Sequence, residues 1–143
     1  MSDFAQHYSP VIWVTLAYFL VYYGFMVNLL RVKLRVAKEC KARGERFLRY
    51  SNTYPELLAA DRVQLNTLEH MPPFLAILWI LAAATSPDQA AFWGWLYVAL
   101  RALYPLFLGR TLRSNIPYRL LLNTFSAYGI LAVMMVLTVN AIL

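Results

Sequence analysis

Hydrogen-bonding side chains are concentrated in the stretch DRVQLNTLEHMPPF, at the start of a long apolar segment. Four of them are spaced i, i+4, i+7 and i+8, so on an α-helix they share one face. They are Arg62, Asn66, Glu69 and His70, while Gln64 points elsewhere on the same helix. A cation, an amide, a carboxylate and an imidazole on one face are the groups that would bind a small polar molecule or pair with another helix.

The second group of such residues lies in LRALYPLFLGRTLR, where Arg101 and Tyr104 share a helical face at i and i+3. Pro105 follows, and Pro72 and Pro73 follow the first group by about one turn, so we expect both helices to bend. The sequence therefore predicts polar groups from two helices at one membrane depth. This suits a small zwitterionic or anionic ligand that enters from the cytoplasm.

Two other interpretations of these residues remain open. A carboxylate in a membrane helix needs a partner, so Glu69 could form a purely structural ion pair with Arg62 or Arg101 that holds two helices together. Tyr104 could instead belong to the belt of aromatic residues that is common at membrane interfaces.

Composition indicates the elements that must position these side chains. Of the 143 residues, 61% are hydrophobic and 14% charged, which is typical of an integral membrane protein. Four apolar segments are long enough to cross a bilayer as helices. They cover about 8–30, 71–87, 89–108 and 120–143. The alternating pattern of a membrane β-barrel is missing, so we predict an all-α bundle of four transmembrane helices in a single domain, 1–143.

The first apolar segment is expected to stay in the mature protein, because it is too long for a secretory signal and lacks a basic leader. Nine of the thirteen lysines and arginines lie between Arg31 and Arg62, one is Arg101, and three lie between Arg110 and Arg119. Positive residues favour the cytoplasmic side, which places the first and third loops there and both termini outside.

The net charge of +6 is explained by this topology and by anionic lipid headgroups, so we expect no nucleic-acid partner. The single cysteine, Cys40, excludes an internal disulfide and is expected to be incidental rather than catalytic. We predict no metal site.

The two polar groups resemble those of the membrane-associated proteins in eicosanoid and glutathione metabolism, the MAPEG family, which includes microsomal glutathione transferases. The resemblance covers nearly the whole chain. It rests on four segments in matching order, a basic first loop, the pattern RVQLNTLEHMP in the second helix and RALY in the third. The RVQLNTLEHMP pattern is fairly specific, whereas RALY alone would be weak.

The resemblance implies a homotrimer with glutathione bound between neighbouring subunits near the cytoplasmic face. By position, the residues expected to contact glutathione are Arg31, Arg62, Gln64, Asn66, Glu69, His70, Arg101 and Tyr104. Guanidinium groups pair well with the two carboxylates of glutathione, and Glu69 could accept its ammonium group.

The chain departs from the family pattern at three positions. His70 stands where many enzymatic members have tyrosine, Leu108 where a second tyrosine is frequent, and Asn115 where several members place the arginine that activates the thiol. A reactive thiolate needs a nearby cation or hydrogen-bond donor. Arg110 and Arg113 are the nearest substitutes in sequence, with Arg113 favoured, and Tyr104 and then Arg31 are the next candidates.

We therefore predict a glutathione-dependent transferase or peroxidase that acts on lipophilic electrophiles from the bilayer, whose identity the sequence leaves open. A non-catalytic lipid-binding or scaffolding member of the family is the alternative, although such a protein has little use for the charged face. A small multidrug-type transporter would require a carboxylate in the first apolar segment, which has none. The short loops favour a bacterial inner membrane over the endoplasmic reticulum.

Overall fold

The regular structure of the described residues is entirely helical. A computed structural model of the chain describes residues 3–49, 51, 53–112 and 118–143. The helices are α1 (Asp3–His7), α2 (Ser9–Ala42), α3 (Pro55–Ala84), α4 (Pro87–Leu108) and α5 (Tyr118–Ile142). Prolines begin α3 and α4, where their missing N–H groups cost nothing, and the Ser86 hydroxyl accepts a bond from the amide of Gln89 in α4.

Four of these helices, α2 to α5, are long and apolar enough to cross a membrane. Large apolar side chains on their surfaces are exposed, among them Leu20, Phe125 and Met135, as is required where lipid replaces water. The chain is thus a multi-pass integral membrane protein, and the predicted all-α class is confirmed.

The helices extend beyond the apolar segments from which they were predicted. α3 begins at Pro55, well before the segment that starts at Met71, and it continues through Pro72 and Pro73 without interruption. Its first half is helical because Leu57, Ala59, Ala60 and Val63 pack inward, even though polar residues are frequent there. The polar face consequently lies in the middle of α3, whereas the sequence predicted it at a bent helix end.

Close packing of three helices holds the middle of the bundle together. A Cβ atom on Gly94 of α4 would lie 2.7 Å from Val14 of α2 and 2.8 Å from Leu78 of α3, so only glycine lets these helices approach so closely. Tyr18, Phe74 and Tyr97 form an aromatic group nearby, with ring centroids 5.0 Å apart for Tyr18 and Phe74 and 4.3 Å apart for Phe74 and Tyr97.

Two further hydrogen bonds hold α4 against the neighbouring helices near the polar residues. The side-chain amide of Asn123 in α5 donates to the carbonyl of Leu100 in α4 at 2.9 Å. The amide of Leu112, after α4, donates to the carbonyl of Pro55 at the start of α3, also at 2.9 Å. These bonds hold the C-terminal half of α4 and the residues after it against α5 and the start of α3.

Candidate functional site

The centre of the site is Arg101, whose side chain is fully buried between α3 and α4. Its Nη1 donates to Oδ1 of Asn66 at 2.6 Å, and its guanidinium carbon lies 5.3 Å from the ring centroid of Tyr97 and 5.8 Å from that of Tyr104. Two ring faces and one neutral amide thus surround the cation. These contacts stabilise a cation, but none of them neutralises its charge.

His70 joins the same network through its Nδ1 atom. This nitrogen lies 3.0 Å from the Tyr97 hydroxyl and 3.4 Å from Nη2 of Arg101. Because a guanidinium only donates hydrogen bonds, Nδ1 must be the acceptor and the ring proton sits on Nε2. His70 therefore presents a neutral Nε2–H donor, on a ring whose centroid is 5.1 Å from that of Tyr128.

Arg101 has no carboxylate partner among the described residues. The ion pairs there join Arg35 to Glu39 and Glu56, and Arg43 to Glu45. In addition, Nε of Arg101 is buried without a hydrogen-bond partner in the described part of the chain. A buried guanidinium without a counter-ion is costly, so this position is suited to receive an anion.

Arg62 and Glu69 occupy the outer edge of the polar face. Both are exposed, and both are close enough to Tyr104 to interact with it electrostatically. Within the described residues neither one forms an ion pair. The polar face is therefore exposed at Arg62 and Glu69 and buried at Asn66. We call Arg62, Asn66, Glu69, His70, Arg101 and Tyr104 together the polar cradle.

The cradle brings together six of the residues that the sequence singled out, and the others lie elsewhere. Gln64 points to α2, where its amide donates to the Tyr22 hydroxyl at 3.1 Å. Arg31 is exposed on α2. Arg110 lines a cavity with Arg35 and Glu56, and that cavity is not lined by any cradle residue. Arg113 and Asn115 fall outside the described residues, while Leu108 is buried in the bundle.

Three residues at or beside the site were not singled out from the sequence: Tyr97 and Tyr128 contact cradle residues, and Asn123 bonds to the backbone of Leu100, next to Arg101. Tyr97 precedes Arg101 by one helical turn, and this i, i+4 spacing is the signal that could have identified it. Tyr128 and Asn123 come from α5, and no local pattern relates them to α3 or α4. Their roles depend on tertiary packing alone.

Cys40 lies away from the cradle, buried near the C-terminal end of α2. Its thiol donates to the Tyr54 hydroxyl at 3.3 Å, and Nη2 of Arg43 lies 3.8 Å from the sulfur. The hydrogen bond to Cys40 is the main reason that the pKa of Tyr54 is raised above its usual value. These contacts join the end of α2 to the start of α3.

Comparison with known proteins agrees with this arrangement at the level of the family. The profile described as MAPEG family matches residues 11–140, which includes all the helices that cross the membrane apart from their outermost residues. No curated protein matches the chain.

Proposed function

Because the chain belongs to the MAPEG family, we propose that it is a glutathione-dependent transferase or peroxidase that acts on lipophilic electrophiles from the bilayer. The observation that carries the proposal is the fully buried guanidinium of Arg101, which has no carboxylate partner among the described residues. A site built around such a cation is completed by an anionic ligand.

Glutathione fits the charges of the cradle. It carries two carboxylates and one ammonium group, and the cradle offers the guanidinium groups of Arg62 and Arg101 beside the carboxylate of Glu69. Guanidinium forks bind carboxylates through two parallel hydrogen bonds. Neutral Asn66 and Tyr104 supply further polar contacts. A lipid binder without glutathione has no comparable use for a buried cation beside an exposed carboxylate.

The proposed reaction needs a thiolate and a lipophilic acceptor. Glutathione supplies a thiol that, once ionised, can form a bond to an electrophilic carbon while the leaving group departs with its electron pair. The protein's part is to hold the peptide and to stabilise the negative sulfur. We assign the second task to Arg113 first, with Arg110 and Tyr104 as the other candidates, and the Nε2–H of His70 adds a hydrogen-bond donor in the cradle.

We further propose that the protein assembles as a homotrimer with its sites between subunits, as the family resemblance implies. The exposed edge of the cradle supports this proposal, because Arg62 and Glu69 form no ion pair with any described residue and would otherwise lie on the surface of a membrane helix. The mass of the detergent-solubilised particle tests it: three chains are expected, and a particle of one chain that retains glutathione binding would contradict it.

Conjugation kinetics test the proposed activity. The purified protein is mixed with glutathione and a chromogenic aryl halide, and the rate is measured across pH. We expect saturation with glutathione and a rate that rises as the thiol ionises. A folded protein that conjugates none of several electrophiles would instead favour the non-catalytic lipid-binding member of the family.

A further inference from the structure

The half of the bundle that the sequence predicts to be cytoplasmic contains a trough, bounded by α2, α3 and α4, that the cradle does not use. It consists of two neighbouring cavities of about 390 and 420 Å³, which share Asn28 and Pro105 in their linings. These volumes are in the range of ligand sites. We propose that this trough, called here the α2–α4 trough, binds an anionic phospholipid of the cytoplasmic leaflet, with an acyl chain along the trough and the phosphate at Arg110.

The part of the trough that lies deeper in the membrane is apolar and open to lipid. Its lining comprises Leu20, Val21, Gly24, Phe25, Asn28, Ala102 and Pro105. Small residues create the space, since a Cβ on Gly24 would meet no atom within 4 Å, and Ala102 faces it from α4. From Leu20 to Arg35 the trough follows α2 for roughly 22 Å, at about 1.5 Å per residue. This length and surface suit an extended acyl chain.

The cytoplasmic end of the trough is polar and carries a net positive charge. Arg35, Glu56 and Arg110 line it. Arg35 is already paired with Glu56 and lies 4.0 Å from Glu39. Arg110 forms no ion pair with any described residue. Among the cations that line the trough, Arg110 is thus the one that an acidic lipid would neutralise.

Local backbone structure places Arg110 at this end. α4 ends at Leu108 and is capped by Gly109, whose φ of +88° is the left-handed conformation that favours glycine. The amide of Leu112 then bonds to the carbonyl of Pro55, next to Glu56. The chain after α4 is therefore fixed across the start of α3, which keeps Arg110 over the opening of the trough.

Filling the trough tests where the acyl chain binds. Gly24→Leu adds a side chain where there is open space, and Gly129→Leu is its matched control, because a Cβ there also meets nothing within 4 Å and Gly129 lies on α5, away from the trough. Each purified protein is incubated with equal amounts of phosphatidylglycerol and phosphatidylcholine that have the same acyl chains. Native mass spectrometry then counts the lipids retained per chain.

We expect the wild type and Gly129→Leu to retain one phosphatidylglycerol per chain, and Gly24→Leu to lower this occupancy by about tenfold. Ala102→Leu fills the opposite wall and carries the same expectation, so the test remains available if Gly24→Leu does not fold. The proposal is wrong if the filled variants keep the wild-type occupancy. It is also wrong if they change only the number of chains per particle, since the trough would then be a contact between subunits.

Arg110→Gln tests the headgroup, with Arg119→Gln, an exposed arginine on α5, as its control. Loss of a charge-assisted hydrogen bond to phosphate should reduce the preference for phosphatidylglycerol over phosphatidylcholine by about tenfold, while retention of phosphatidylcholine stays the same. An unchanged preference in Arg110→Gln, or an equal loss in both variants, would remove Arg110 from the site and overturn the proposed anionic specificity.

Discussion

Replacing both Arg101 and Asn66 by apolar residues should separate ligand binding from folding. The two side chains are hydrogen-bonded to each other at 2.6 Å, so the double variant Arg101→Met/Asn66→Leu leaves neither of them without its partner. It also removes a buried cation that has no carboxylate partner in the described structure. Replacement of both polar partners by apolar groups is often neutral or stabilising. We therefore expect the ligand-free variant to melt at or above the wild-type temperature.

The same variant should lose most of its affinity for glutathione. One charge-assisted hydrogen bond contributes roughly 1.5 to 3 kcal/mol, which is about tenfold to a hundredfold in affinity. At a hundredfold excess over Kd, ligand stabilises the wild type by about 2.7 kcal/mol, or roughly 5 to 10 °C for a chain of this size. A hundredfold weaker variant would keep only about 0.4 kcal/mol of that stabilisation under the same conditions.

Thermal unfolding with and without millimolar glutathione measures both effects, and Arg119→Met, an exposed change on α5, is the control for removal of a positive charge. A double variant that is strongly destabilised without ligand, yet shows the wild-type shift with glutathione, would contradict a role of Arg101 in ligand binding. Arg101 would then stabilise the fold, and it would not be part of a glutathione site.

Three further variants address individual roles, each measured by glutathione titration, thermal unfolding and conjugation rate. Glu69→Gln should lose mainly affinity, about tenfold, whereas unchanged affinity with a lower melting temperature would indicate a structural ion pair. His70→Phe removes the Nε2–H donor and should lower the catalytic efficiency by about tenfold, and His70→Gln, which can still donate, should recover part of it; equal losses in both would argue against the donor. Arg113→Ala should lower the maximal rate with little change in affinity, and the rate should recover at higher pH, where solvent ionises the thiol; a wild-type pH profile would exclude Arg113 as the activating residue.

The sequence predicted the number and class of the membrane-spanning helices, because apolar length is a strong signal. It also predicted the inner part of the cradle, since Asn66 and His70 follow helical spacing and lie toward Arg101. The sequence placed the polar face at a helix end, because hydropathy detects only the apolar segments. The first half of α3 is amphipathic, and it is helical because residues such as Val63 pack into the bundle.

Relations between helices could not be predicted in this way. The contact between His70 and Tyr128 of α5 joins residues that are far apart in sequence, and no periodicity within one helix reports the rotation of another. Arg110 shows the same limit. Its proximity in sequence to Asn115 suggested a role at the thiol, which stays a prediction. Nothing in the sequence indicated that Arg110 would also line the α2–α4 trough, beside the ion pair of Arg35 and Glu56.

Direct titration of the purified, folded protein with glutathione by calorimetry is the measurement that tests the central claim most directly. If the buried guanidinium of Arg101 is the centre of a glutathione site, binding should be saturable at millimolar glutathione or below, and the double variant Arg101→Met/Asn66→Leu should bind about tenfold to a hundredfold more weakly. Absence of binding to the wild type at millimolar concentration, or equal binding to the double variant, would contradict it.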